Sequence, residues 1–321
     1  MINLKKCGIE SKKDGFKSRK GDLESKKLGY FMIIPASILI LLISIYPLVN
    51  GILLSFESYN LLKPLNRKFV GFGNYIKILT TDTEFYGVLT YSFIYTVAVV
   101  ISAYLFGLFL AVLLNRNIKG RGLYRALILL PWVISPSVAS TNWLWLLNDQ
   151  VGFINNVLRA LNLIDKPILF IAVPDLARIT VIFTGAWKAF PFMMIVVLAG
   201  LQSIPRDLYE SAHIDGAGFW KSFFYITMPM IRGVSAIATT LMFIWTFNNF
   251  ENIYLFTRGG PADATYVLPI LTYYTAFFRS QLGYASAIAV IMLIVLLLLS
   301  GVYLRVLESQ NSNVIEKGAR K

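Results

Sequence analysis

The chain has 321 residues, 56% of them hydrophobic and 15% charged, with a net charge of +13 and a mean hydropathy of +0.63. Soluble proteins carry about 25% charged residues, and so little charge cannot cover the surface of a water-soluble globule of this length. A single histidine, His213, and a single cysteine, Cys7, exclude an intrachain disulfide and leave little basis for zinc or Cys/His chemistry. The basic excess is read as the orienting charge of a membrane protein rather than as a nucleic-acid surface; no nucleic-acid partner is expected.

Apolar runs long enough to cross the bilayer occupy about 28–56, 88–114, 123–147, 177–201, 233–256 and 285–307. They predict an all-α, polytopic membrane protein with six transmembrane helices. A basic tail (1–27) precedes the membrane domain (28–307), and a short tail (308–321) follows it. The runs are neither short nor alternating, which sets aside a β-barrel. The first is too long for the apolar part of a signal peptide, and Pro35 and Pro47 are expected to mark its bends or ends.

Six spans put both termini on one side. The tails and even-numbered connections, counted with the basic residues at the span ends, carry 20 Lys and Arg, the odd-numbered connections 9, and Lys188 alone lies well inside a span. By the positive-inside rule both termini are cytoplasmic. Trp143 and Trp145, at the outer end of span three, suit an interfacial belt.

The fourth connection, about 203–229, does not read as a loop. Ser203 and Pro205 signal a helix start, Asp215-Gly216 a turn, and Phe219, Trp220, Phe223, Phe224 and Ile226 the apolar face of a second short helix ended by Pro229. Acids (Asp207, Glu210, Asp215) suit an anionic inner leaflet poorly. Small residues (Ser211, Ala212, Gly216, Ala217, Gly218) admit a partner backbone. Together they favour a protein-docking knob over a helix lying on lipid.

Glu210-Ser-Ala-His-Ile-Asp-Gly216-Ala217, followed by Phe224, Ile226 and Pro229, resembles the Glu-Ala-Ala…Gly signature of the permease subunits of binding-protein-dependent ABC importers. Ser211 stands where the second residue is usually Ala, a small-for-small change. Thr246–Tyr254, Thr257-Arg-Gly-Gly-Pro261 and Val70-Gly-Phe-Gly-Asn74 resemble segments of the carbohydrate branch, the maltose- and glycerol-phosphate-type permeases of the bacterial inner membrane. The resemblance implies a type I importer permease fold over about 28–307. It assigns Glu210, Ala212, Asp215 and Gly216 to contact with an ABC ATPase dimer. It implies a second related permease chain, an extracytoplasmic solute-binding protein and a carbohydrate substrate. The chain has no G-x-x-x-x-G-K-[ST] sequence, so it binds no cofactor of its own and ATP belongs to the ATPase subunit.

Polar residues inside spans mark a path or a helix contact. Trp245, Asn248, Asn249 and Asn252 fall at i, i+3, i+4 and i+7, one face of a continuous span five. Amides beside an indole suit sugar hydroxyls and an apolar sugar face. Glu251 and Lys188 complete the candidate path; Lys188 is expected to pair with Glu251, to snorkel, or to face an anionic solute such as a glycerol phosphate. A polytopic membrane enzyme lacks its catalytic cluster here, and a secondary transporter its coupling charges.

Overall fold

A computed structural model describes residues 31–116 and 118–319. The basic tail with Cys7 lies outside these residues. Twelve helices in the described residues form a bundle, apart from a short 3-10 turn at Pro64–Asn66. They are α1 (Phe31–Ser55), α2 (Gly73–Thr80), α3 (Thr83–Leu114), α4 (Arg121–Val133), α5 (Pro136–Leu146) and α6 (Phe153–Ala160). Then come α7 (Pro174–Gln202), α8 (Arg206–Ile214), α9 (Phe219–Phe247), α10 (Glu251–Thr257), α11 (Leu268–Phe278) and α12 (Leu282–Ala319). Among the described residues five stretches are long and apolar enough to cross a membrane, six when the bent pair α4–α5 counts as one. The strands among the described residues are a small antiparallel pair, β1 (Glu57–Ser58) and β2 (Lys68–Phe69).

Prolines decide where the spans depart from the sequence reading. Span three is not continuous over 123–147: α4 and α5 meet at 93°. Pro136 disfavours the helical conformation in the residue before it. Ser135 and Ile134 are accordingly extended (ψ 141° and 134°), and Pro136 opens a new helix. Span five is the opposite case. Pro229 does not end the second short helix, because α9 runs unbroken from Phe219 through a π turn at Phe223–Thr227. The wider turn lets the ladder adjust to the donor that proline lacks. Pro47 likewise follows a π turn, Leu41–Ile45, inside α1. Span five therefore includes the aromatic segment and stops at Phe247, not near 256.

The central pairing is α3 against α7. A Cβ on Gly107 would stand 2.8 Å from both Met193 Cβ and the Met194 amide nitrogen, so glycine sets how closely these backbones approach. Two apolar clusters result. A large one runs through α3, α7, α9, α11 and α12, with Tyr95, Phe85, Phe247 and Leu268 fully buried. A smaller one, at the end of the bundle bearing α8 (the knob end), joins Leu108, Ala111 and Leu114 to Val197, Leu201, Ile204 and Ile231. The first span, α1, leans on α12 and is exposed along nearly all of its length.

Polar contacts tie the opposite end. Asp82 caps α3 by accepting from the Phe85 amide at 3.0 Å and accepts from Tyr284 Oη at 2.6 Å. Arg279 grips Glu84 in a two-pronged pair at 2.7 and 2.8 Å. In the Gly-Gly-Pro loop, Gly259 has φ +90°, and a Cβ there would lie 2.1 Å from the Tyr266 ring. That ring is buried, which raises the phenol to about 12, with Asp263 adding to the effect.

Candidate functional site

The fourth connection folds as a helix, a left-handed turn and the root of span five. Ser203 does not start α8; its hydroxyl donates to the Gly200 carbonyl at 2.8 Å and closes α7. Pro205, extended at φ −58° and ψ 135°, starts the nine-residue helix α8. Asp207 in the first turn and His213 in the last suit the helix dipole.

Gly216 ends α8. The Ala217 amide donates to the Ala212 carbonyl (2.8 Å) and the Gly216 amide to the His213 carbonyl (3.0 Å), the two bonds of a Schellman motif. Gly216 sits at φ +74°, with no atom within 4 Å of where a Cβ would be. Glycine is therefore needed for backbone conformation, and the space beside it is open.

Glu210, Asp215 and Gly216 are exposed, Ala212 is half-buried, and Ile214 is 86% exposed at the tip. The opposite side of the helix is anchored. Tyr209 Oη lies 2.9 Å from Thr227 Oγ1 in the π turn of α9, and Tyr209 packs on the cluster that joins α3 and α7. A cleft of about 690 Å³, lined by Glu210, His213, Ala217, Phe219 and Arg116, runs between α8 and the end of α3. The knob presents acids and small residues outward and is held inward by a hydrogen bond to α9 and by Tyr209 packing on the cluster of α3 and α7.

The proposed path residues do not share one face. Because α9 ends at Phe247, Asn248 and Asn249 lie in the break before α10. Asn248 Nδ2 donates to the Ile244 carbonyl (2.9 Å) and faces the apolar groove between α1 and α12. Asn249 Oδ1 accepts from the Asn252 amide (3.1 Å) and caps α10, with exposed Glu251 in its first turn. Trp245 is half exposed and meets Phe192 edge-on at 5.0 Å; Phe192 in turn neighbours Trp132 at 6.0 Å.

Asn252 alone of the amides joins Lys188, in a cavity with Ser140, Trp143, Thr184 and Trp187. Trp143 is thus an inward-packed ring, edge-on to Trp187 at 5.4 Å, while Trp145 remains exposed. Lys188 makes no ion pair with Glu251. Its Nζ donates to the carbonyls of Ile134 (2.6 Å) and Pro131 (3.4 Å), placing a cation at the C-terminal end of α4 where span three breaks. The cavity, about 20 Å³, holds a water but not a sugar ring. Trp132, Phe192 and the α4–α5 break went unread in the sequence; Pro136 was the available signal for the break.

Residues 103–312, more than half of the chain, match the family described as binding-protein-dependent transport system inner membrane component. A probable ABC transporter permease protein of Brucella suis is 35% identical over 284 residues, covering 88% of this chain and 98% of that one. The trehalose/maltose transport system permease protein MalF of Thermococcus litoralis is 34% identical over 281 residues, 87% and 93% of the two chains. A crystal structure of a bacterial ABC transporter involved in import of the acidic polysaccharide alginate contains a chain with the same fold. Its TM-score is 0.78 at 22% identity, over 90% of this chain and 98% of that chain. With its spans, its capped knob and this match in hand, the chain belongs to the binding-protein-dependent transport system inner membrane component family and is the permease subunit of an ABC importer.

Proposed function

We propose that this chain forms one half of the transmembrane path for a carbohydrate. In this reading a solute-binding protein delivers the sugar, a second related permease supplies the other half, and an ATPase dimer on separate chains uses ATP. The knob end is cytoplasmic, as are both termini. Glu210, Ala212, Asp215 and Gly216 face the ATPase, and motion of α8 passes through Tyr209 and Thr227 into α9. The observation that carries this is the Schellman-capped helix, exposed on the side of its acids and small residues and bonded on the other to span five. Relatives named for transport of trehalose and maltose support a carbohydrate. Within the membrane, Trp245 with Phe192 and Trp132 offers rings for a sugar face, and Asn252 with Lys188 offers polar groups in the small cavity with Trp143 and Trp187.

The test is co-purification in mild detergent. Gly216→Asp puts a side chain into a left-handed position and the open space beside it, and Glu210→Arg reverses the exposed charge. Both are expected to lose the ATPase subunit while the permease stays folded. Retention of a full complement of ATPase by both variants would sink the docking role.

A further inference from the structure

A second groove lies at the knob end, on an exposed face of the bundle. It measures about 390 Å³ and runs between α3 and the root of α9, lined by Leu105, Leu108 and Phe109 on one side and Phe219 and Phe223 on the other. Arg116 stands at its mouth, its guanidinium 5.8 Å from the Phe219 ring centre. From Arg116 to Leu105 the groove descends roughly 16 Å at 1.5 Å per helical residue, the depth of an acyl chain rather than of a surface contact. Its walls are exposed apolar side chains of a membrane-spanning helix: Leu105, Phe109 and Trp220 are each more than half exposed.

Charge selects the occupant. Arg116 has no carboxylate partner among the described residues. Lys119 follows in the same short connection, and Arg121 and Arg125 in the first turns of α4. Arg125 donates from Nη2 to the Leu114 carbonyl at 3.4 Å at the end of α3, while its buried Nε has no hydrogen-bond partner. A cation at the mouth of an apolar groove, level with an aromatic ring, complements an anionic headgroup above an acyl chain.

We propose that this groove binds an anionic phospholipid, with its phosphate on Arg116 and one acyl chain between α3 and the aromatic root of α9. The lipid lies against the π turn Phe223–Thr227, whose Thr227 carries the hydrogen bond to the knob. Its occupancy braces the knob against span two. Transport activity then depends on the lipid as well as on the ATPase.

Trp220 lines the groove and reports on it. The full transporter is reconstituted in vesicles of phosphatidylcholine with increasing brominated phosphatidylglycerol or brominated phosphatidylcholine. The Trp220 signal is the difference between wild type and Trp220→Phe. Brominated phosphatidylglycerol is expected to quench it at about five-fold lower mole fraction than the neutral lipid, the preference one arginine near an anionic lipid surface provides. Arg116→Gln should abolish that preference and Arg116→Lys retain it. Equal quenching by the two lipids, or a preference untouched by Arg116→Gln, overturns the site. Release of the ATPase by Arg116→Gln with quenching unchanged also overturns it, in favour of a protein contact.

Discussion

Gly107 shows how one missing methyl sets the packing of the bundle. A Cβ there meets backbone of α7 at 2.8 Å, which does not yield as a flexible side chain does. Gly107→Ala is expected to cost about 1–3 kcal/mol through overpacking, read as a lower unfolding temperature in detergent; an unchanged melt would mean that the helices part freely. Lys188 is a second residue whose role lies in its partners. Lys188→Met strips the donor from two carbonyls in an apolar setting, at about 1–3 kcal/mol, whereas Lys188→Arg keeps a donor there. Thermal melts of the two variants separate this capping role from a pairing with Glu251, which Glu251→Gln would expose by matching the loss. Neither role is visible in residue type alone: the sequence shows a lone intramembrane lysine, and only the broken helix beside it supplies acceptors.

Among the elements, the prolines were legible as punctuation but not in their effect. Pro136 sits in an apolar run and Pro229 just before one. One divides span three at 93°, and the other follows a π turn that leaves span five whole. The difference follows from what surrounds them: a second proline, Pro131, and the Lys188 amine sit at the first, and the Tyr209–Thr227 contact at the second. Helical spacing misled in the polar set of span five for the same reason. A face at i, i+3, i+4 and i+7 requires a continuous helix, and α9 ends between Trp245 and Asn252. Asn249→Ala should accordingly act as loss of a helix cap, costing about 1 kcal/mol with little direct effect on uptake. Asn252→Ala, whose amide borders the Lys188 cavity, is expected to lower sugar uptake without lowering stability by as much. Paired uptake and melting measurements decide between them, and the reverse ranking would move the path away from this cavity.

At the scale of the molecule, the knob is an extension of the spans rather than a separate module. Tyr209 from α8 and Phe223 from α9 pack, partly buried, on the same cluster as the ends of α3 and α7, so α8 shares its packing with three spans. The first span stands apart, exposed along most of its length and in contact chiefly with α12. The membrane class, the number of apolar runs and the helix–Gly216–helix signature were determined by the sequence itself. Hydrophobic length and a glycine in the left-handed region are local properties, set by transfer of side chains out of water and by sterics at one residue. What tertiary structure decided was which polar groups meet. Asn252 of α10 and Lys188 of α7 come together, Asn248 and Asn249 turn to local backbone bonds, and Lys188 finds carbonyls freed by a distant break. These pairings depend on helix ends and crossings that arise only once the spans pack against one another.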